Sequence, residues 1–216
     1  MGNLDIVTLA IIGANVAFSL KGFNDYRFFE AYRFNIAAIR RGEYIRFLSS
    51  GFLHVNGTHL FFNMLTFYFF AGAVQQKMGI AVFLLLYFAS LIGGNLLAYY
   101  FHKDEYHYNA VGASGAVTGV LYAFILFFPQ EDLFLMFIPI PIDAWIIGIA
   151  FLVFSIYGMK KQLGNIGHDA HFGGAVVGYV LTLLYAPYLI EVNQIFVILL
   201  AIPIVLLFIL IKRKLL

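Results

Sequence analysis

Long apolar stretches, separated for the most part by short polar segments, dominate this sequence and restrict what it can fold into. A helix that crosses a bilayer needs about 20 predominantly apolar residues, so a chain of 216 residues has room for roughly six or seven. Hydrophobic residues make up 62% of the chain and charged residues 11%, whereas soluble domains are about half apolar and about a quarter charged. The sequence therefore predicts an all-α, polytopic membrane helix bundle.

The apolar pattern predicts six core spans and a seventh C-terminal span. The predicted spans are approximately residues 6–20, 58–76, 80–101, 114–128, 144–157, 170–189 and 195–211. Gly79 is expected to break the helix between the second and third spans. Pro139 and Pro141 exclude regular helix before the fifth span, so we expect an extended lead into it. No linker divides the chain, which predicts a single membrane-embedded domain over 1–216, with a core of about 1–190.

Residues 21–57 form a long connection that differs from the others. Aromatic residues from Phe23 to Phe47 alternate there with six basic residues: Lys21, Arg27, Arg33, Arg40, Arg41 and Arg46. Aromatic and basic side chains are typical of the membrane interface. We therefore expect a partly helical insert at the level of the lipid headgroups.

Several classes of protein and site are disfavoured by composition. The chain has no cysteine, which excludes disulfides, thiolate metal ligands and a cysteine nucleophile. The formal net charge of +2 is too small to indicate nucleic-acid binding. No basic segment precedes the first apolar run, so we expect a retained span rather than a cleavable signal peptide. The predicted location is a bacterial cell membrane, with the chain integral and multi-pass.

Polar side chains within apolar spans are costly and often mark function. They concentrate at three places: His54 with His59 and Asn63, then Ser114, and then the segment from His168 to His171. His59 and Asn63 are four residues apart, so they share one face of a helix and can both donate hydrogen bonds.

Glycines surround two of these places. Gly112, Gly115 and Gly119 flank Ser114, and Gly174 and Gly178 follow His171. Pairs of small residues four apart allow two helix backbones to approach closely. The pattern therefore predicts that the fourth and sixth spans pack closely enough for a hydrogen bond between Ser114 and His171.

Each polar feature also has a simpler explanation. A serine in a membrane helix commonly bonds to the carbonyl four residues earlier, and the His59–Asn63 pair could equally be structural. The four histidines at 54, 59, 168 and 171 could ligate zinc, but the His-Glu-x-x-His signature is absent and no carboxylate accompanies them at that spacing. We therefore predict no metal.

Three motifs together are far more specific than any one of them. They are Gly112-Ala113-Ser114-Gly115, then His59-Leu60-Phe61-Phe62-Asn63, and finally Ala170-His171-Phe172-Gly173-Gly174 continuing to Gly178. In combination they resemble the rhomboid family of intramembrane serine proteases. The resemblance covers roughly residues 40–185 and implies a rhomboid-like six-span core.

The resemblance implies a role for each matching residue. Ser114 corresponds to the nucleophile and His171 to the general base, because the glycines lie three and seven residues after His171 and not after His168. His59, Asn63 and the backbone N–H of Ser114 correspond to an oxyanion hole. His54 resembles a supporting histidine one helical turn outside that oxyanion hole.

The chain departs from the family pattern at three positions. Arg46 fits the arginine of a first-loop motif, but Ile45 replaces the usual tryptophan. Gln75 stands where a helix-capping glutamate is common. Thr118 stands where an aromatic residue commonly packs on the catalytic histidine. We expect these differences to affect stability and the position of the histidine rather than to abolish activity.

The chemistry expected of these residues is peptide-bond hydrolysis by a Ser–His dyad. Serine is a poor nucleophile until a neighbouring base accepts its proton, and histidine can do so near neutral pH. Asp169 lies on a different helix face from His171, so no acidic third member is expected. The expected partners are transmembrane protein substrates, cleaved near the membrane boundary, and the lipid bilayer, with no cofactor.

Two other classes of protein remain open. A proteolytically inactive rhomboid-fold protein could bind membrane proteins, although the presence of both Ser114 and His171 argues against it. A small transporter or channel would need a polar path across the membrane, whereas the polar residues here cluster near span ends. An activity assay on a transmembrane substrate separates these classes.

The distribution of basic residues gives a conflicting expectation about orientation. With seven spans, Lys77 alone lies on one side and the other twelve Lys and Arg residues lie on the side of residues 21–57. The positive-inside rule would place that side, and the site, in the cytoplasm. The family resemblance implies a site that faces outward.

Overall fold

The computed structural model describes residues 5–134, 140–163, 167–213 and 215. The described helices are α1 (Ile6–Asn24), α2 (Tyr26–Tyr32), α3 (Ile36–Arg40), α4 (Arg46–Ser49), α5 (Gly57–His102), α6 (Ser114–Phe127), α7 (Ala144–Lys161), α8 (His168–Tyr185), α9 (Leu189–Val192) and α10 (Gln194–Lys212), with a 3-10 turn at Ser50–Phe52. Four short strands are β1 (Phe34–Asn35), β2 (Asn109–Ala110), β3 (Asp132–Phe134) and β4 (Pro141–Asp143). The protein is thus a helical bundle, as predicted.

Short polar side chains determine where several helices begin. Asp5 accepts a hydrogen bond from the Val7 N–H at the start of α1, and Asn56 accepts one from the His59 N–H at the start of α5. Asp25 and Asn35 cap α2 and α3 in the same way. Such caps satisfy N–H groups that have no partner within the helix, and each stabilises a helix by about 1 kcal/mol.

Gly79 divides α5 into two spans. Its φ of 71° and ψ of 165° are not helical, and glycine adopts a positive φ without the steric cost that a Cβ imposes. The predicted break between the second and third spans is therefore confirmed. It consists of Gly79 alone, and helix continues directly on both sides of it.

The helices are those of an integral membrane protein. Within the described residues, α1, α5, α7 and α10 are long and apolar enough to cross a membrane, and α6 is a shorter apolar helix. Many large apolar side chains on α10 point outward, including those of Ile195, Ile198, Ile202 and Val205. Lipid chains can solvate such a surface, whereas water would disfavour it.

Helices α5, α6 and α8 form the centre of the bundle and make the most extensive contacts with one another. Twelve of the fourteen residues of α6 lie buried in an unbroken run, from Gly115 to Leu126. A Cβ on Gly174 would overlap the carbonyl oxygen of Gly115, and one on Gly178 would overlap that of Gly119. The predicted close packing of the fourth and sixth spans through paired glycines is therefore confirmed.

The connection at 21–57 is partly helical, as predicted, and it is tied to the segment before α6. Strand β1 pairs antiparallel with β2, with Phe34 opposite Ala110 and Asn35 opposite Asn109. The side chains of Asn35 and Asn109 are also joined by a 2.8 Å hydrogen bond. This pairing fixes the long connection beside the start of the fourth predicted span.

A hairpin precedes α7. Strand β3 pairs antiparallel with β4, with Leu133 opposite Ile142. The extended lead into the fifth span is confirmed at Pro141–Asp143, whereas Pro139 lies outside the described residues.

The C-terminal helix α10 packs on the outside of the bundle, against α7. The Asn193 side chain donates a hydrogen bond to the Leu126 carbonyl, and the Tyr179 hydroxyl donates one to the Val197 carbonyl, both at 2.9 Å. These bonds attach the seventh span to α6 and α8.

Candidate active site

The four residues predicted to carry the chemistry line one cavity. This cavity has a volume of about 740 Å³. Ser114, His171, His59 and Asn63 all contribute to its wall, together with residues of the β1–β2 region and the start of α8. Helices α5, α6 and α8 thus present their polar side chains to a common space near one end of the bundle.

Ser114 is the first residue of α6, and the turn before it depends on glycine. Gly112 has a φ of +134°, and a Cβ at that position would lie 2.8 Å from the His59 ring. Its N–H donates to the Ser50 carbonyl at 3.0 Å. The backbone therefore brings Ser114 and His59 to the same part of the cavity because residue 112 has no side chain.

His171 lies in the first turn of α8, where its backbone N–H donates to the Gly167 carbonyl. Among the hydrogen bonds of the described residues, none joins the His171 ring to the Ser114 hydroxyl. Hydrogen bonds of this kind are commonly long before a substrate is bound and shorten in the complex. The shared cavity therefore suits a proton transfer that is completed when a substrate is present.

An aromatic residue that the sequence did not indicate packs near His171. The Phe151 ring of α7 lies with its centroid 5.7 Å from that of His171, at an angle of 28°. Thr118, which stands where the resemblance implies an aromatic, instead donates its hydroxyl to the Ser114 carbonyl at 2.7 Å. No spacing rule within one helix could have identified Phe151, because it approaches from another element.

His59 and Asn63 lie on the cavity side of the first turns of α5. The Asn63 side-chain nitrogen donates one hydrogen bond to the His59 carbonyl at 3.0 Å. An amide nitrogen carries two hydrogens, so a second remains for a group in the cavity. The two residues can therefore offer donors to one point, which is what an oxyanion requires.

His54 is buried behind His59 and does not line the cavity. Its Nδ1 lies 2.8 Å from the Ser19 hydroxyl, which in turn donates to the Phe52 carbonyl. The backbone N–H of Ala113 donates to His54 Nε2 at 3.5 Å. Burial, and then the neighbouring His59, lowers the pKa of His54 to about 3. A neutral ring with Nδ1 protonated fits both contacts, so His54 braces α1 against the turn before Ser114.

Arg46 lies in the long connection, away from the cavity, and organises that connection. Its guanidinium donates to the backbone carbonyls of Glu30 and Arg33 at 2.8 and 2.7 Å, and to the Glu43 carboxylate. The hydrogen bond from Arg46 holds the pKa of Glu43 below its usual value. Arg46 therefore ties together parts of the long connection, which contains only short helices.

His168 does not line the cavity that holds Ser114. Its ring packs against Gly158 of α7, where a Cβ would overlap it, and it contributes to a second cavity of about 480 Å³. Its Nε2 lies 3.3 Å from the Leu163 carbonyl. The spacing argument that preferred His171 over His168 agrees with this placement.

Comparison with known proteins is consistent with the geometry. Residues 41–188 match the family model described as the Rhomboid domain. The chain belongs to the rhomboid family. This match ends before α10, so the seventh span of this rhomboid lies outside the matched region.

Individual relatives of this rhomboid come from plants, fungi and bacteria. It is 26% identical to the mitochondrial RHOMBOID-like protein 12 of Arabidopsis thaliana over 190 residues, which are 81% of this chain and 56% of that protein. It is 31% identical to the mitochondrial Rhomboid protein 1 of Saccharomyces cerevisiae over 62% of this chain and 40% of that protein. It is also 31% identical to the Rhomboid protease GluP of Bacillus subtilis, over 65% of this chain and 26% of that protein. The chain thus spans between a quarter and somewhat over half of the length of these relatives.

Proposed function

We propose that this rhomboid is an intramembrane serine endopeptidase that cleaves transmembrane protein substrates near the membrane boundary. The observation that supports this function best is the single cavity that Ser114, His171, His59 and Asn63 line. Relatives named as rhomboid proteases support the same reaction class. In this proposal Ser114 is the nucleophile, His171 is the base and the other residues are donors, which peptide hydrolysis requires together.

In the proposed first step, the Ser114 hydroxyl attacks the carbonyl carbon of the scissile peptide bond while His171 accepts the hydroxyl proton. A new C–O bond forms and the carbonyl π electrons move to the oxygen. His171 then gives the proton to the leaving amine, the C–N bond breaks, and an acyl enzyme remains. Water then attacks the acyl carbon while His171 accepts a proton from it, and the bond from that carbon to the Ser114 oxygen breaks as His171 gives the proton back to that oxygen.

The oxyanion formed in that step needs donors that are already in place. His59, the second amide hydrogen of Asn63 and the backbone N–H of Ser114 are the proposed donors. In other enzymes, removal of one such donor costs about 3 kcal/mol of transition-state stabilisation. Because Ser114 begins α6, its N–H belongs to a helix N-terminus, where no carbonyl of the preceding turn is available to accept it.

The substrate segment must be extended or unwound at the cleaved bond. In a regular helix the carbonyls are hydrogen-bonded within the helix, and a bilayer favours that state strongly. The cavity lies at the N-terminal ends of α5, α6 and α8, near one end of the bundle, so a substrate that unwinds at the membrane boundary could reach it. The lipid bilayer is therefore a proposed partner as well. That it is a bacterial cell membrane stays a prediction, since relatives come from bacteria, mitochondria and chloroplasts.

Cleavage of a transmembrane substrate by the purified protein in lipid vesicles tests this function. We expect two product fragments from the wild-type chain and none from Ser114→Ala, with both proteins unfolding at the same temperature. Binding of the intact substrate by both proteins, with no fragments from either, would instead identify an inactive rhomboid-fold binder.

A further inference from the structure

A buried carboxylate lies two residues before His171, and the proposed mechanism does not use it. Asp169 is the second residue of α8 and is 3% exposed. Its Oδ1 accepts a hydrogen bond from the Ala170 N–H at 2.9 Å. A carboxylate buried in a bundle of apolar helices needs a partner for its charge, because its desolvation is otherwise very costly.

That partner is the last residue of α5. Nε2 of His102 lies 3.0 Å from Asp169 Oδ2, and Nδ1 of the same ring lies 3.0 Å from Glu105 Oε2. These are ion-pair distances rather than aligned hydrogen bonds, since His102 Nδ1 and Asp169 Oδ2 make no hydrogen bond among the described residues; a proton on each ring nitrogen gives the ring the positive charge that such contacts require. Tyr108 stacks on the other side, with ring centroids 3.7 Å apart and planes inclined by 8°. We refer to His102, Glu105, Tyr108 and Asp169 as the His102 cluster.

The His102 cluster joins the three elements that carry the proposed catalytic residues. His102 ends the helix that carries His59 and Asn63, and Asp169 begins the helix that carries His171. Tyr108 lies in the segment that leads to Ser114, and it packs against Phe34 in a small apolar cluster. The cluster therefore lies between elements on both sides of the cavity.

The first turn of α8 has backbone contacts with its neighbours but no side-chain cap. Its N-cap residue, Gly167, makes no side-chain capping hydrogen bond. The Ala170 carbonyl, between Asp169 and His171, packs against the backbone positions of Gly94 and Gly115. A negative side chain in a first helical turn also interacts favourably with the helix dipole. Asp169 therefore stabilises the first turn of α8, and His102 is the ion-pair partner nearest to its other carboxylate oxygen.

We propose that His102 is a positioning residue, which holds Asp169 and through it the first turn of α8, so that the His171 ring faces Ser114. This inference rests on the proposed function of the Ser114–His171 pair. His102 does not touch the reacting atoms; loss of its contact lets the turn shift, and a displacement of about 1 Å of a catalytic group can lower a rate by about 100-fold.

The test measures reaction of Ser114 with a fluorophosphonate, in which a phosphorus–oxygen bond forms, fluoride leaves and His171 accepts the proton. We expect His102→Ala and Asp169→Asn each to slow labelling of the folded protein by about 10- to 100-fold. On a transmembrane substrate, kcat should fall similarly with little change in KM. His102→Gln should recover part of the rate, because its amide can donate to Asp169.

His107→Ala is the matched control, because His107 is an exposed histidine five residues along the same segment, and it should label like the wild type. The His102→Ala, Asp169→Asn double variant should be no slower than either single variant, since one contact is lost in each case. Rates that multiply in the double variant, or a normal labelling rate per folded molecule in His102→Ala and His102→Gln, would overturn the inference. Failure of the wild type to label above Ser114→Ala would instead overturn the proposed function.

Discussion

At the scale of single residues, the choice between two neighbouring histidines decides the identity of the base. His171 lines the cavity with Ser114, whereas the His168 ring packs against Gly158 and faces a second cavity. We therefore expect His171→Ala to abolish cleavage while the protein still inserts and folds, and His168→Ala to retain most activity. Cleavage rates and unfolding temperatures of the two purified variants check this. A dead His168→Ala variant beside a live His171→Ala variant would reverse the assignment.

A second residue-scale prediction tests whether Asn63 is an oxyanion donor or only a structural amide. One of its hydrogens bonds to the His59 carbonyl, and in the proposed mechanism the other donates to the oxyanion of the transition state. Loss of such a donor lowers kcat more than it raises KM. Asn63→Ala should cut kcat by up to roughly 100-fold, with a modest change in unfolding temperature. A large loss of stability with a normal kcat in the folded fraction would return Asn63 to a structural role.

The sequence predicted residues that share a helix face and the glycine-mediated contact between the fourth and sixth spans, but it missed individual side-chain contacts between other elements. His59 and Asn63 were assigned to one helix face from their separation of four, and the structure places both at the cavity. Phe151 near His171, and His102 beside Asp169, come from different helices. Contacts between helices depend on how the helices pack, and the spacing of residues within one helix does not indicate that packing.

At the scale of whole elements, the glycine contact between α6 and α8 determines how far apart Ser114 and His171 lie. We expect Gly178→Leu to separate these helices and abolish cleavage, because even a Cβ would overlap the Gly119 carbonyl. Gly119→Leu should also abolish cleavage, because a Cβ there would overlap the Ser90 side chain of α5 and lie 3.1 Å from the Gly174 carbonyl oxygen of α8. Overpacking of this kind typically costs about 1–3 kcal/mol of stability.

The matched control for these glycine variants is Gly72→Leu, because Gly72 is exposed on α5 and a Cβ there meets no atom within 4 Å. It should cleave like the wild type. Cleavage assays and thermal unfolding of the three variants provide the measurement. Full activity in both Gly119→Leu and Gly178→Leu would remove the packing argument.

Helix positions were also predictable where a strong local signal exists. The break at Gly79 and the extended segment at Pro141 follow from the backbone preferences of glycine and proline. The interior of residues 21–57 was predicted only as a partly helical insert. Its order comes from long-range contacts, such as the β1–β2 pairing and the Arg46 guanidinium on two backbone carbonyls, which a linear pattern does not reveal.

At the scale of the whole molecule, the basic residues lie almost entirely at one end of the bundle, whereas acidic residues lie at both ends. The helices alternate in direction, so that the described Lys and Arg residues other than Lys77 lie at the end where α6 and α8 begin. Glu131, Asp132, Asp143 and Glu191 lie at the other end. The positive-inside rule then predicts that the cavity end faces the cytoplasm, in contrast to what the family resemblance implies.

Because the chain has no cysteine, single-cysteine variants can measure this orientation without background. Asp104→Cys and Glu191→Cys form a matched pair, since each replaces one exposed acidic residue at one end. The charge distribution predicts that a membrane-impermeant maleimide labels Glu191→Cys on intact cells and labels Asp104→Cys only after permeabilisation. The reverse pattern would show that the cavity faces outward and that the basic residues do not set the orientation.

The glycine-to-carbonyl contact between α6 and α8 also has a mechanical consequence. Where two backbones touch directly, there are no rotamers that could rearrange and absorb a strain. The separation of the two helices is then as stiff as the peptide units themselves. A thinner or thicker bilayer can tilt the lipid-facing helices α7 and α10, and with them the route proposed for a substrate, but it changes the distance between the proposed nucleophile and base very little.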